Sequence, residues 1–176
     1  MNCIPTSVDG AFIIEPPEFG DDRGFFSPVF DTKRFAANGL CTSFTRMNCS
    51  LSVEKATLRG MHYQPEPYQE VKLLRVVRGA VWDVALDIRP DSPSFGKWVG
   101  VELTAKNRRL LYIPAGCAHG FQTLEANTEV LYLCSNEYTV QHECGIMWND
   151  PFFSINWPLE PTVISEKDQK HPLFST

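Results

Sequence analysis

Residues 81–88 read Val-Trp-Asp-Val-Ala-Leu-Asp-Ile, and this stretch decides the fold class. Large apolar residues occupy every second position, which puts four of them on one face: Trp82, Val84, Leu86 and Ile88. A period of two is that of a β-strand, because successive side chains point to opposite faces of a sheet. The stretch therefore predicts a half-buried strand.

Strands of the same kind are predicted on both sides of this stretch. Five further runs favour strand, at residues 56–64, 70–78, 97–103, 109–113 and 129–134. Many short strands separated by close turn signals indicate an antiparallel sandwich or barrel. Helix is predicted only at 31–37, where Asp31 is a suitable N-cap, and in a short segment near 165–169.

Length and composition exclude several classes of protein. The 176 residues fit one domain, 1–176, and a formal charge of -5 offers no basic surface to nucleic acid or anionic lipid. We find no secretory signal and no apolar run of the roughly 20 residues that span a membrane. The six cysteines include no CxxC pair. We expect a cytoplasmic protein with reduced thiols, whose polar ends, 1–9 and 159–176, run over the surface.

A histidine-bearing corner refines the fold. Residues 114–120, PAGCAHG, have the PxGxxH form of the second cupin motif, which aims His119 into a small barrel. We therefore predict an all-β fold, a cupin or jelly-roll antiparallel β-barrel with a few short peripheral helices. Metal-binding cupins add an HxH pair from an earlier strand, but residues 59–64 read RGMHYQ and contain only His62.

Proton transfer suits these residues better than metal binding. Lys72 occupies a position where a further ligand would be expected, and a cation repels a metal ion. His62 and His119 can exchange protons near neutral pH, while Arg59 and Lys72 can hold an anion and stabilise an enolate. We predict no metal site. A metal-dependent oxygenase or isomerase built on the two histidines is the alternative.

Five motifs in this order resemble the dTDP-4-dehydrorhamnose 3,5-epimerase family, from about residue 10 to residue 168. They are RGMHYQ at 59–64, EVKLLRVVRGAVWDVALDIRPDSPSFGKWVGVEL at 70–103, YIPAGCAHGF at 112–121, LYLCSNEY at 131–138 and ISEKD at 164–168. The resemblance implies a cofactor-free isomerase of deoxysugar biosynthesis. Its substrate would be a 4-keto-6-deoxyhexose on a nucleoside diphosphate, inverted at carbon 3, carbon 5 or both.

The resemblance also implies a role for each residue of the reaction centre. His62 is the base, Asp168 its dyad partner, and Lys72 the cation at the enolate oxygen. Tyr132 is the acid that protonates the opposite face of the sugar. The C-terminal segment 159–176 would then return to a site built by the core, about 10–158.

Further matches imply substrate binding and a homodimer. The positions that hold sugar, diphosphate or nucleoside are Arg46, Asn48, Arg59, His119, Tyr138 and Lys167. Arg23 and Phe26 match a segment that the family lends to the neighbouring subunit's site. Arginine suits a pyrophosphate because its planar fork meets two oxygens at once.

Two departures leave the nucleotide open among dTDP, CDP, GDP and UDP. Pro28 stands where the family usually has glutamate, and Arg46 where it usually has glutamine. A single-centre epimerase, a ketoisomerase and a binding module without turnover remain alternatives. Asp83 and Asp87 fit either a sheet surface or a buried polar network, and they are not included in the site. His142 and His171 are expected to be solvated, because their sequence neighbours are polar.

Overall fold

The computed structural model describes residues 1–175 and has two sheets that pack face to face. The first sheet has the order β1-β2-β10-β7-β12-β5. Its strands are β1 (Asn2–Pro5), β2 (Phe12–Glu15), β10 (Leu110–Ile113), β7 (Lys72–Arg78), β12 (Thr128–Cys134) and β5 (Arg46–Ser52). All pairs in it are antiparallel.

The second sheet has the order β13-β6-β11-β8-β9, and β14 pairs in parallel with β6. Its strands are β13 (Cys144–Gly145), β6 (Thr57–Tyr63), β11 (Cys117–Thr123), β8 (Ala80–Asp87), β9 (Trp98–Thr104) and β14 (Val163–Ile164). Over the described residues the two sheets remain separate. The predicted all-β jelly roll is thus confirmed, but as a sandwich and not as a closed barrel.

Besides a 3₁₀ turn at Val140–His142, three short elements complete the described chain. The hairpin of β3 (Phe19–Asp21) and β4 (Gly24–Phe26) forms a small sheet of its own. Helix α1 (Thr32–Ala37) begins as predicted, since the Asp31 carboxylate accepts the backbone N–H of Arg34 at 2.8 Å. Near the C-terminus the predicted helical segment is a single 3₁₀ turn, Asp168–Lys170.

Strand β8 is buried on both faces, so the prediction of a half-buried strand is wrong. Val81 and Ala85 lie in the core between the sheets. Val84 and Leu86, on the other face, pack against a second apolar cluster that the chain after residue 145 lays over the sheet. The sequence period was correct, but the covering segment lies about 60 residues further along the chain.

Both chain ends are more deeply built into the fold than expected. At the N-terminus, β1 adds a strand to the first sheet and Val8 is buried. At the C-terminus, Phe174 packs against Phe153, and Asp168 is buried. The prediction that these ends run over the surface therefore holds for most of their described residues, but not for Val8 and Asp168. Among the described residues, no helix has the length and apolar character needed to cross a membrane.

Close approach of β6 and β11 brings two histidines together. His119 pairs directly with His62 in this ladder. A Cβ atom at Gly60 would lie 2.6 Å from the Gly120 backbone, and the φ of Gly60 is +130°. Only glycine fits there. The two glycines therefore let the strands meet at the end of the sandwich where the site lies.

Candidate active site

One end of the space between the sheets opens as a cavity of about 570 Å³. Ten of the twelve predicted site residues line it: Arg46, Asn48, Arg59, His62, Lys72, His119, Tyr132, Tyr138, Lys167 and Asp168. The sequence did not single out the seven other lining residues, which are Ser50, Thr57, Leu58, Phe121, Glu143, Val163 and Ser165. Both sheets and the C-terminal segment contribute, so the cavity depends on long-range folding.

His62 and Asp168 form the predicted dyad. Nε2 of His62 lies 2.7 Å from Oδ1 of Asp168, and Oδ2 accepts the backbone N–H of Gly60 at 3.1 Å. Burial alone would raise the pKa of Asp168, but the bond to His62, the charge of His62 and the Gly60 N–H outweigh it and lower that pKa. The ionised carboxylate holds the ring by Nε2, which leaves Nδ1 to take a proton.

His171 is a third member of this group, and the prediction that it is solvated is wrong. Its side chain is 9% exposed, and Nε2 lies 3.4 Å from Oδ1 of Asp168. The ring stands edge-on to His62, with centroids 5.6 Å apart. Burial, followed by the nearby charge of His62, lowers the pKa of His171. A polar sequence neighbourhood gave no sign of this contact, which the 3₁₀ turn creates.

A second histidine–aspartate pair lies beside the first. Nε2 of His119 is 2.7 Å from Oδ1 of Asp83, and Asp83 is fully buried. Burial lowers the pKa of His119, the charges of Lys72 and His62 act in the same direction, and Asp83 opposes them. Of the two positions that the sequence left open for Asp83, a sheet surface or a buried polar network, the structure shows the buried network. Asp87 is also buried, within a separate network.

Tyr132 and Lys72 lie on the facing wall, in adjacent strands of the first sheet. Burial, with a smaller contribution from nearby Cys134, raises the pKa of Tyr132, while the charges of Arg46 and Arg59 oppose that shift. The phenol therefore remains protonated at neutral pH and can act as an acid. Base and acid candidates thus reach the cavity from opposite sheets.

Charged side chains alternate along the rim. The guanidinium of Arg46 lies over the Tyr138 ring, 5.3 Å from its centroid. The Tyr138 hydroxyl donates to Glu143 at 2.5 Å, and Glu143 also pairs with Lys167. Burial would raise the pKa of Glu143, but Lys167, Tyr138 and His62 outweigh it and lower that pKa. These contacts fix the Tyr138 ring between Arg46 and Glu143.

Polar groups along β5 and β6 complete the lining. Arg59 donates from Nε to Ser52 Oγ at 3.1 Å and from Nη2 to the Leu51 carbonyl at 3.0 Å. Within the described part of the chain, Nδ2 of Asn48 and Oγ of Ser50 are buried without a hydrogen-bond partner. Buried polar atoms normally have partners, so these two groups are suited to a bound ligand.

The predicted partner-reaching residues lie outside the cavity, on the β3–β4 hairpin. Arg23 is 88% exposed and pairs with Asp21 at 2.5 Å. Phe26 is 68% exposed and packs its ring against Phe19. The structure of one chain therefore does not bring these two residues to the other ten.

A group with possible metal ligands exists, but it differs from the pair of histidines that the sequence suggested. His62, Asp168 and His171 offer ligand atoms that all lie within 4.8 Å of one another. His119 instead bonds to Asp83. In the first group the 2.7 Å hydrogen bond already joins His62 to Asp168. The geometry present is that of a proton-sharing dyad.

Comparison with known proteins decides the family. A family model described as dTDP-4-dehydrorhamnose 3,5-epimerase matches residues 5–176. The chain belongs to this family. It is 48% identical over 169 residues to the dTDP-4-dehydrorhamnose 3,5-epimerase of Shigella flexneri, an alignment that covers 96% of this chain and 93% of the relative.

Solved structures of the epimerase family have the same fold. The Bacillus anthracis dTDP-4-dehydrorhamnose 3,5-epimerase with TDP and pyrophosphate bound aligns with a TM-score of 0.95 and 42% identity, over 98% of this chain and 99% of that one. The Legionella pneumophila enzyme in complex with dTDP-4-keto-L-rhamnose aligns with a TM-score of 0.91 and 44% identity, over 98% of this chain and 92% of that one. The chain is therefore an isomerase of the epimerase type, and the resemblance seen in the sequence is confirmed.

Proposed function

We propose that the protein inverts carbons 3 and 5 of a dTDP-linked 4-keto-6-deoxyhexose, without a cofactor, in deoxysugar biosynthesis. One observation carries the proposal: His62 and Tyr132 line the same cavity from opposite sheets, with Lys72 beside Tyr132. Inversion requires a base on one face of the sugar and an acid on the other. The family relationship supplies the substrate class.

His62 begins the reaction. Its Nδ1 takes the proton from the carbon next to the C4 ketone, and the electron pair of that C–H bond forms a C=C bond while O4 becomes an oxyanion. Asp168, 2.7 Å from Nε2, stabilises the imidazolium that results. The ammonium of Lys72 stabilises the oxyanion, the role in which fixed charges contribute most to catalysis.

Tyr132 completes the inversion. Its phenol donates a proton to the carbon from the opposite face, the C=C electrons form the new C–H bond, and the C4 ketone returns. Burial raises the pKa of Tyr132, so the proton is present when it is needed. Exchange with solvent restores His62 and Tyr132, and a second round inverts the other carbon.

The remaining lining residues fit the nucleotide part of the substrate. Arg59, His119 and Lys167 are the groups that we assign to the sugar and diphosphate, together with the unpaired amide of Asn48. Tyr138 presents a half-exposed ring at the rim, suited to stacking on a base. With Arg46 below that ring, we assign the nucleoside to this end of the cavity.

We further propose a homodimer. Strand β5 is an edge of the first sheet, and its outer face exposes Met47 and Leu51 at 64% and 49%. An edge strand with exposed apolar residues needs a cover. The β3–β4 hairpin exposes aromatic side chains as well, and from it Arg23 and Phe26 would reach the neighbouring site. Sedimentation velocity should give a dimer, and Arg23→Ala should raise KM while leaving the dimer intact.

Solvent exchange tests the reaction. In deuterated water, 4-keto-6-deoxyglucose linked to dTDP should gain deuterium at carbon 5 and carbon 3, read separately by NMR. The CDP, GDP and UDP forms serve as comparisons. Exchange at one carbon only would restrict the proposal to a single-centre epimerase, and a complete lack of exchange with all four would reject it. Activity that chelators abolish and a metal restores would favour the metal-dependent alternative.

A further inference from the structure

The Glu70 carboxylate is buried between two cations at one end of the site. Its Oε2 accepts a hydrogen bond from Nη2 of Arg46, and its Oε1 lies 3.5 Å from Nζ of Lys72. The side chains of Glu70, Arg46 and Lys72 are 7%, 22% and 11% exposed, respectively. A carboxylate so little hydrated is stable only with such partners.

Three strand ends create this arrangement. Arg46 begins β5, Lys72 begins β7, and both are paired with Cys134 at the end of β12. Glu70 lies two residues before the start of β7, and its carboxylate contacts both Arg46 and Lys72. Strand pairing therefore fixes the backbone of Arg46 and Lys72, and Glu70 lies two residues before the paired Lys72.

Glu70 contacts Arg46 more closely than it contacts Lys72. Arg46 is held on two sides, because its Nε also donates to the Asn136 carbonyl at 2.9 Å. Its Nη2 bonds directly to Glu70, whereas Lys72 keeps a longer ion-pair distance. Since a carboxylate that bonds closely to one cation attracts the second less, the ammonium of Lys72 can still interact with a substrate oxygen.

We propose that Glu70 is a positioning residue for Lys72, and that Arg46 offsets the charge of Glu70 so that Lys72 retains a net positive field at the enolate oxygen. Without Arg46, one carboxylate and one ammonium would cancel. With it, the buried group carries one net positive charge. The inference rests on the proposed function, because it assumes that Lys72 stabilises an enolate.

Two alternative roles for Arg46 lead to different kinetic results. If Arg46 acts by touching the nucleotide, its removal should raise KM whatever residue occupies position 70. If the pair with Glu70 only stabilises the fold, its loss should lower the melting temperature and leave kcat unchanged. Charge compensation alone predicts that the kcat effect of removing Arg46 depends on the carboxylate of Glu70.

A double-mutant cycle tests that dependence. The variants are Arg46→Gln, Glu70→Gln and the double variant, with kcat from deuterium exchange at saturating dTDP substrate and melting temperatures for each. Arg46→Gln should lower kcat by roughly 10- to 100-fold, since an uncompensated buried carboxylate then faces Lys72. In the Glu70→Gln background the same change should alter kcat by less than about threefold.

Controls keep the result clear. Arg46→Lys keeps the positive charge but not the planar fork, so it should lose less kcat than Arg46→Gln does. Arg46→Met removes the same charge as Arg46→Gln and replaces it if that variant does not fold. Arg109→Gln removes an arginine that directly precedes β10 and pairs with Glu15 away from the cavity, and it should leave kcat unchanged.

The outcomes separate the inference from the proposed function. An equal loss of kcat from Arg46→Gln in both backgrounds, or an effect on KM alone, would overturn the charge-compensation role while the epimerase proposal stands. A Lys72→Met variant with wild-type kcat, or a wild type without exchange on any nucleotide form, would overturn both.

Discussion

His62 and His119 lie opposite each other on neighbouring strands, and each has an aspartate oxygen 2.7 Å from its Nε2. The pairs differ in the origin of the aspartate and in exposure. Asp83 comes from the adjacent strand β8, whereas Asp168 returns from the C-terminal segment. His62 is 27% exposed and His119 only 9%. Equal bond lengths therefore hide two different environments: one imidazole can meet a substrate carbon, and the other is fixed in a buried network.

Exchanging each histidine for asparagine should give the largest contrast. We expect His62→Asn to lower kcat by about 10³-fold, because it removes the general base. The same change at His119 should lower kcat only about tenfold. Asn can still donate a hydrogen bond to Asp83, so only a binding contact is lost. Rates of deuterium exchange measure both. If kcat falls as much in His119→Asn as in His62→Asn, the assignment of the base to His62 is wrong.

Neutralising the two aspartates should separate catalysis from stability. Asp168→Asn should lower kcat by roughly 10²-fold, because a neutral amide no longer stabilises the imidazolium of His62. Asp83→Asn changes a fully buried group, so we expect a loss of roughly 1–3 kcal/mol in the free energy of unfolding and a smaller change in kcat. Chemical denaturation and exchange kinetics on the same samples provide the two readings. If Asp83→Asn has the larger effect on kcat, the roles of the pairs must be reversed.

The sequence predicted what depends on local pattern and on matched motifs. The period of 81–88 located β8, and the motifs located ten residues that line one cavity. It could not predict contacts made by distant covering segments. Burial of the second face of β8 depends on the chain after residue 145, and the contact of His171 with Asp168 depends on a 3₁₀ turn closing over the site. Glu70 was overlooked because its partner Arg46 lies 24 residues earlier in the chain.

A glycine next to the exposed dyad offers a milder change. A Cβ atom at Gly145 would lie 2.3 Å from the His171 ring, so Gly145→Ala must displace that ring and loosen its contact with Asp168. We expect kcat to fall roughly fivefold with KM unchanged, because the displacement leaves the binding groups in place. In a His171→Ala background, Gly145→Ala should have no further effect. Additive losses in the double variant would show that Gly145 acts through another contact.

Lowering the pH should have the smallest effect, which is on the stability of the fold. The two histidine–aspartate pairs should respond at different pH values. Burial lowers the pKa of His119, so as pH falls below the ordinary histidine value of about 6.5 the unfolded chain takes up a proton more readily than the folded chain does. Stability that is present at pH 7 is therefore lost progressively as pH falls below about 6.5.

His119→Asn should consequently make the melting temperature less dependent on pH in this range. The lowered pKa of Asp168 acts elsewhere: its stabilisation is complete above about pH 4 and is lost only as pH falls below that value. Asp168→Asn should therefore make the melting temperature less dependent on pH below about 4. Because the pKa of His171 is lowered as well, a His171→Asn variant measures its share of the loss. If His119→Asn changes the pH dependence of the melting temperature only below pH 4, burial of the His119 imidazole does not account for the difference between the two pairs.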